Sequence, residues 1–370
     1  MALKIGITGQ DGFVGRHLFN YLGLQPDIER VHFEKSFFEN KAILEGFVAS
    51  CDVIVHLAAM NRHEDPQVIY DANVALVSKL VAACEAKNVK PHVLFSSSTQ
   101  EDKDNHYGRS KAKGGQILSD WSERSGAKVT SLIIPNVFGP FGRPFYNSVV
   151  ATFCHQLANG ETPTINMDGN LQLIYVNELV EAIYVAILES RTGKLSVSHT
   201  KEIKVSELLA LLVSYKTDYF ENGVFPNLDH AFEKALFNTF RCYVPENHYP
   251  FFLKKHTDAR GSFVEIARAN TSGQFSFSTT HPGITRGNHF HTRKAERFAV
   301  IKGKALIQLR KVDSDQVINY YLDGKNPSFV DMPIWYTHNI KNIGTEELLT
   351  LFWINEPYNA YDPDTYFVNV

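Results

Sequence analysis

Cysteine is scarce in this chain of 370 residues, with only four. Cys51, Cys84, Cys154 and Cys242 stand far apart and form no C-x-x-C pair. They read as reduced, mostly buried thiols of a cytosolic protein. Long basic runs are missing too. The net charge is -3, so nucleic acid is excluded as the main partner, because phosphate binding needs clustered Lys and Arg. The apolar stretches, such as Leu208 to Val213, are too short for membrane insertion. Met1-Ala2-Leu3-Lys4 runs straight into a short apolar strand with no signal-peptide layout, so a cytoplasmic location is expected. Internal repeats and low-complexity segments are absent.

Apolar residues are plentiful, at 44%, and the length predicts two domains, each with its own core. Lys4 to Thr8, Cys51 to Leu57, His92 to Ser96 and Val129 to Pro135 are continuous apolar runs of strand length. Helical patterns lie between them, including Asn73 to Lys87 and Tyr107 to Arg124. Buried parallel strands alternating with helices predict an α/β doubly wound sheet of Rossmann type. Residues 206 to 240 are helix-rich, with Ser206 as the expected N-cap. From Phe263 onward, short strands alternate with Gly, Pro, Asn and Asp turns, which predicts a small all-β barrel or sandwich. The boundary falls near residue 244, dividing the chain into 1–243 and 244–370.

Chemistry concentrates at a few places in the first part. Thr8-Gly9-Gln10-Asp11-Gly12-Phe13-Val14-Gly15 follows a strand and opens a helix. Glycines permit the tight turn and the close approach of backbone to a pyrophosphate, which the helix N-terminus favours. His56-Leu57-Ala58-Ala59 ends the fourth strand, Asn73-Val74 starts a helix, and Ser96-Ser97-Ser98 ends the next strand. Tyr107 and Lys111 then sit one turn apart on one face of a helix.

With these motifs in order, the first 240 or so residues resemble an extended short-chain dehydrogenase/reductase acting on nucleotide sugars. The resemblance implies that Tyr107 exchanges a proton with the substrate oxygen. Lys111 lowers the Tyr107 pKa and holds the cofactor ribose. Ser98 hydrogen-bonds the reacting carbonyl, with Ser97 or Thr99 as the fallback. Gly9, Gly12, Phe13, Val14, Gly15, Leu57, Ala58 and Ala59 would line the cofactor. Asn136 matches an asparagine near the sugar diphosphate, and Arg143 is either a phosphate clamp or a solvated loop arginine. The choice between NAD and NADPH stays open. Glu34 lies where an acidic residue would bind the ribose hydroxyls, whereas Lys35 and Arg16 could neutralise a ribose phosphate.

The second part carries Gly283-x5-His289-x-His291-x4-Glu296-x6-Gly303, then Pro333-x-Trp335-x-x-His338-x3-Asn342. The first run reproduces a cupin motif. The second departs from it: Trp335 replaces a glycine, and Pro327 stands where an upstream glycine is usual. His289, His291, Glu296 and His338 form a ligand set suited to Zn, Mn, Fe or Ni. A second resemblance overlaps. Asp258-Ala259-Arg260-Gly261-Ser262-Phe263-Val264-Glu265 and Arg286-Gly287-Asn288-His289 look like segments of deoxysugar-nucleotide epimerases, cupins in which the histidine is the base and metal is generally absent. His289 thus carries two assignments, metal ligand and base; His291, Glu296 and His338 favour ligand, with the base then another residue or a metal-bound hydroxide. Lys294 and Glu265 are further candidates for the base. Arg260 and Arg286 are candidate diphosphate clamps.

Together, the two halves resemble bifunctional capsular-polysaccharide enzymes that fuse a reductase to a cupin. That resemblance implies a UDP-linked 2-acetamido-2,6-dideoxy-4-ketohexose, epimerised at C3 in the cupin and reduced at C4 with NADPH. The product would be a UDP-N-acetyl-6-deoxy-L-talosamine, on the route to N-acetyl-L-fucosamine. Zinc and a homodimer are implied as well. Two other classes remain open: a simple ketone reductase with a structural cupin, and a sensor without turnover.

Overall fold

The computed structural model describes residues 2–356 and 359–370, apart from 259, 260, 265, 267 and 270–272. Of residues 255–258, 261–264 and 268–269 it describes the backbone. Arg260, Glu265 and the other side chains of the Asp258–Glu265 motif lie outside the described residues. The chain divides into two compact units. One comprises residues 1–138, 142–149 and 169–204; the other comprises 139–141, 150–168 and 205–370.

The first unit is a six-stranded parallel sheet. Its strands are β1 (Leu3–Thr8), β2 (Ile28–Val31), β3 (Val53–His56), β4 (His92–Ser98), β5 (Val129–Ile134) and the strand Gly193–Ser196. The order is β2–β1–β3–β4–β5 followed by Gly193–Ser196. Alternation along the strands builds one core on each face. Ile54, Val93 and Phe95 pack with α2 (Lys41–Ala49), α3 (Pro66–Lys87) and α4 (His106–Ser125). Ile5, Ile7, Val53, Val55 and Leu94 pack with α1 (Phe13–Leu22) and the helix Val176–Leu188. The doubly wound reading therefore holds. Strand order reverses at β1, which has β2 on one side and β3 on the other, so the glycine loop after β1 sits at the switch point.

Some details differ from expectation. The strand ending at His56 is the third, not the fourth. α3 begins at Pro66, not Asn73, because Asp65 accepts a hydrogen bond from Gln67 N at 2.9 Å and Pro66 takes the first helical position. α3 also meets the length and composition of a membrane span, contrary to the expectation that every apolar stretch is too short. Its Val77, Leu80, Val81 and Cys84 are buried in the sheet core.

The second unit contains two antiparallel five-stranded sheets. One runs Phe251–Phe252, Ser328–Met332, Glu296–Lys302, Leu348–Ile354, Gln274–Thr280. The other runs Val317–Asp323, Lys304–Lys311, Tyr336–Asn342, Thr285–Phe290, Tyr366–Phe367. Val300, Val330 and Met332 of the first share an apolar core with Ala305, Ile307, Leu322 and Ile340 of the second. The expected closed barrel is not found among the described residues. They pair as two separate sheets over one core.

The expected boundary at 243/244 falls inside this second unit. Ser206 is not the cap of its helix. It is the second residue of the helix Val205–Ser214, and its N and Oγ donate to Asp168 at 2.8 Å each. Buried polar groups hold the helical segment to the sheet. Arg297 and Asp331, 2% and 1% exposed, are cross-strand partners at 2.8 Å. Tyr219 donates to Asp331 at 2.5 Å, Arg297 donates to Gly223 O at 2.7 Å, and Arg241 donates to Met332 O at 2.5 Å. A fragment of residues 244–370 removes Tyr219, Gly223 and Arg241 from this cluster. It should be less stable than a fragment of residues 205–370 by at least roughly 3 kcal/mol, the scale for stripping partners from a buried charge. Urea unfolding followed by circular dichroism tests this; equal midpoints would show that the helical segment is dispensable.

Candidate active site and metal centre

In the first unit the candidate residues converge at the C-terminal ends of β1, β3 and β4. Gly9 has φ +76, and a Cβ there would lie 2.8 Å from Ala58 N. A Cβ on Gly15 would lie 2.1 Å from Gly9 O. Only glycine lets the loop, α1 and the Leu57-Ala58-Ala59 segment approach this closely. Gly12 precedes α1 without a side-chain cap, as an anion-binding turn requires. Phe13, Val14 and Arg16 follow in the first turn of α1. Leu57 N donates to Thr8 O at 3.0 Å, and Asn73 clasps Met60 N and O at 2.6 and 3.0 Å.

Tyr107 stands in the first turn of α4, which Asn105 caps by accepting from Gly108 N at 2.7 Å. Lys111, one turn later, is 3% exposed and donates to Ser96 O at 2.7 Å. Its Nζ lies 5.6 Å from the centroid of the Tyr107 ring. The expectation that Lys111 lowers the Tyr107 pKa is not met. Burial pushes Tyr107 up to about 12, with Tyr146 adding to the shift. Burial pulls Lys111 itself down to about 7. The ammonium is bonded to the Ser96 carbonyl and stripped of water, and it is not among the groups that shift Tyr107.

Of the three serines, Ser97 donates to Glu101 at 2.6 Å, Ser96 donates to His56 O at 3.1 Å, and Ser98 Oγ accepts from Gln100 N at 3.2 Å. Asn136 is exposed at the start of the strand Asn136–Phe138. Arg143 is exposed and lies over the Tyr146 ring at 5.4 Å, in a loop whose Phe145 and Tyr146 carbonyls accept from Arg62 at 3.1 and 3.3 Å. Glu34 is bonded by His32 and Ser36 at 3.1 and 3.3 Å, and Lys35 follows in an exposed turn.

In the second unit His289, His291, Glu296 and His338 come together, with one ligand atom of each within 4.8 Å of the others. His289 and His338 are directly opposed in register. A bulge between Gly287 and His289 turns the strand there, with Gly287 at φ +105, where a Cβ would lie 2.8 Å from His338 O. Glu296 Oε2 lies 3.0 Å from His291 Nε2 and 3.2 Å from His338 Nε2. All three atoms are buried, and none makes a hydrogen bond. The outer nitrogens explain this: Nδ1 of His291 donates to Asp364 O, and Nδ1 of His338 donates to Tyr336 O at 3.2 Å. In the neutral form that these bonds select, each Nε2 carries a lone pair directed at the Glu296 oxygen, whereas a protonated ring would donate to it. Converging lone pairs suit a cation, so the residues fit a divalent metal.

The charges agree. Burial opposes the Glu296 charge, but His291 and His338 outweigh it and hold the carboxyl well below its usual range. Burial opposes the His291 charge, yet Glu296 raises its pKa overall. Burial, with His338 and His291, lowers His289 to about 4.

Trp335, where the motif has glycine, has φ +61, so the left-handed backbone persists without glycine. Its N–H donates to His291 O at 2.8 Å, and its ring stacks on Phe290 at 5.3 Å. Lys294 is buried and donates to Pro363 O at 2.6 Å, which makes it a structural partner. Arg286 is exposed and donates to Thr279 O at 3.1 Å. Sequence reasoning missed Ser96, Arg62 and Asp364, whose roles come from distant packing.

The NAD dependent epimerase/dehydratase family matches residues 5–197. The chain belongs to that family. The polysaccharide biosynthesis C-terminal domain matches residues 256–366. The UDP-2-acetamido-2,6-beta-L-arabino-hexul-4-ose reductase of Pseudomonas aeruginosa is 33% identical over 372 residues, covering 100% of this chain and 99% of that one. The crystal structure of the capsular polysaccharide assembling protein CapF from Staphylococcus aureus matches with TM-score 0.64 and 35% identity over 100% of both chains. A UDP-N-acetylglucosamine 4-epimerase from Methanobrevibacter ruminantium M1, at 22% identity and TM-score 0.55 over 66% of this chain and 98% of that one, shares the fold.

The lowered Lys111 pKa predicts a pH effect on stability. The unfolded chain holds this proton up to the ordinary value of 10.5, whereas the folded chain releases it near 7. Between these values the unfolded state binds the extra proton, so the Lys111 contribution to stability rises with pH across the window and is least favourable below it. In Lys111→Met that rise should vanish. Urea midpoints at about pH 7, 8 and 9.5 for both proteins test this; parallel curves would mean that Lys111 is ordinarily protonated.

Proposed function

We propose that this chain is a two-site nucleotide-sugar enzyme. The cupin-type C-terminal unit epimerises C3 of a UDP-linked 2-acetamido-2,6-dideoxy-4-ketohexose. The N-terminal unit then reduces the C4 ketone with NADPH to a UDP-N-acetyl-6-deoxy-L-talosamine. One observation carries this reading: a half-buried Tyr107 with a buried Lys111 beside a dinucleotide-type loop, and a largely buried His289–His291–Glu296–His338 cluster, occur on the same chain. The full-length likeness to a hexul-4-ose reductase and to a capsular polysaccharide protein supports it. The enzyme is cytoplasmic and homodimeric in this reading, with zinc as its metal.

The order of steps follows from carbon acidity. The C3 proton is acidic only while C4 is a ketone, because the carbanion delocalises into that carbonyl. Reduction removes this acidity, so epimerisation comes first. In the C-terminal unit, His289, His291, Glu296 and His338 would hold Zn²⁺, which supplies a Lewis acid for the enolised ketone. Glu296 stays ionised there, and the Asp364 and Tyr336 carbonyls keep His291 and His338 in the tautomer that directs Nε2 inward. His289, half-buried and neutral near pH 7, is able to act as ligand or to accept the C3 proton.

In the N-terminal unit NADPH supplies the hydride to C4. Tyr107 gives its hydroxyl proton to the developing O4 alkoxide, and its raised pKa keeps that proton in place until the alkoxide forms. Ser98, at the end of β4, orients the carbonyl oxygen, while Asn136 and Arg143 take the diphosphate.

Tyr107→Phe should lower NADPH-dependent reduction by roughly 10²-fold or more, with cofactor affinity retained. Stopped-flow absorbance and a binding titration check this; an undiminished rate would remove Tyr107 from the chemistry. Without NADPH, the protein should exchange the C3 proton of its 4-keto substrate with D₂O. Exchange should persist in Tyr107→Phe and fail in His289→Ala. NMR of the C3 signal reads the outcome. Uptake that requires NADPH, or that survives loss of His289, would leave the C-terminal unit a structural module beside a simple ketone reductase.

A further inference from the structure

The three strands that carry His289, Glu296 and His338 do not hold the four-residue cluster in place alone; the last residues of the chain pack against it. Asp364 is 2% exposed. Its carboxylate accepts from Thr292 N at 3.0 Å, Thr292 Oγ1 at 2.6 Å, Arg293 N at 3.0 Å and Lys294 N at 3.2 Å. These donors belong to the loop immediately after His291, which leads to Glu296. The Asp364 carbonyl accepts from His291 Nδ1. One residue thus fixes the loop between two ligands with its side chain and the tautomer of a ligand with its backbone. Its φ of 40 is left-handed, a conformation that Asp tolerates better than most residues.

The neighbouring residues reinforce the strap. Arg293 pairs with Asp362 at 2.7 Å. Tyr366 stacks on Phe290 at 5.3 Å, and the Phe367 ring lies 6.1 Å from His289. Val368 N donates to Asn288 O at 3.0 Å, and Thr337 Oγ1 donates to Val368 O. Strap contacts therefore reach residues beside or at His289, His291 and His338. The strap is separated from His291 by 73 positions, so its docking is a tertiary event with its own equilibrium.

We infer that Asp364 is a positioning residue for the metal centre, and that docking of the C-terminal strap and binding of a divalent cation are coupled. This rests on the reading of the four-residue cluster as a metal site. The carboxylate satisfies three backbone N–H groups that the loop would otherwise expose, and the carbonyl keeps the His291 proton on Nδ1. Groups that orient metal ligands in this way contribute roughly 10- to 100-fold to metal affinity. Coupling is reciprocal: if the docked strap favours the cation, the cation favours the docked strap.

The experiment uses the full chain and Zn²⁺. Affinity is measured by competition with a chromophoric chelator for the parent, Asp364→Ala and Asp364→Asn. Thermal midpoints are recorded with and without Zn²⁺. Asp364→Ala should bind Zn²⁺ roughly 10- to 100-fold more weakly and lose most of the Zn²⁺-induced rise in midpoint. Asp364→Asn should fall between, since its amide keeps one acceptor for Thr292 but sets a donor against Arg293 N and Lys294 N. A merely structural aspartate would lower the midpoint with and without metal equally and leave affinity unchanged; that result overturns the inference. A parent protein with no Zn²⁺ affinity would overturn the metal reading and the inference with it. If Asp364→Ala does not fold, carboxypeptidase digestion of the parent decides. Zn²⁺ should slow release of Val370 and the residues before it, and a rate indifferent to Zn²⁺ overturns the coupling.

Discussion

Keeping charge away from water is the constraint on which both sites depend. Glu296 is 7% exposed and Lys111 is 3% exposed, and either would be too costly to bury alone. The two units meet that cost differently. Around Glu296 the fold gathers His291 and His338, whose hydrogen bonds and charge outweigh burial, so the carboxylate keeps its charge. Around Lys111 no carboxylate is supplied among the groups that shift it, and the pKa falls toward neutrality instead. One site holds a buried negative charge among groups that could bind a cation. The other holds an amine whose charge is easily changed by what binds beside it.

That difference orders the rest of each unit. In the N-terminal unit the glycine loop approaches the segment after β3 at Gly9 and α1 at Gly15, and the start of α4 approaches the loop after β4 at Gly108, each within distances that a single methyl would break. Burial shifts the Lys111 and Tyr107 values in the same unit. In the C-terminal unit the bulge at Gly287 and the left-handed Trp335 turn the chain on either side of the cluster. Strand geometry there serves ligand direction.

What could be read from the sequence follows the range of the interactions involved. The loop Thr8–Gly15, the Tyr107–Lys111 spacing and the run from His289 to Glu296 are local, and each element requires particular residues at short separations. The start of α3 was misplaced because apolar periodicity outweighed a local signal, the Asp65-Pro66 cap. For the strand pairing and for the 243/244 boundary, which falls inside the second unit, the reason lies elsewhere. Which strands pair, and which helices lie against them, is decided by partners such as Tyr219 with Asp331, 112 positions apart. Composition does not encode that pairing. Trp335 is the opposite case. The glycine is missing from the motif, yet the backbone conformation is kept because Trp335 is anchored to His291 O and stacked on Phe290.

The same logic limits what a motif can say about pKa. Tyrosine and lysine one turn apart suggest a lysine charge that acidifies the tyrosine, and spacing alone supports that view. Burial reverses it here: Tyr107 rises and Lys111 falls. For a reductase this direction is useful, since a proton donor must keep its proton until an alkoxide forms. A low pKa would suit the reverse reaction, in which the tyrosinate accepts a proton from an alcohol. A Tyr107 that holds its proton is the form on which a ketone reduction would draw. A C4 ketone is also the group whose presence makes the C3 proton labile. The burial that sets the two pKa values in one unit thus fits the carbon chemistry proposed for the other, because both depend on a substrate that arrives oxidised and leaves reduced.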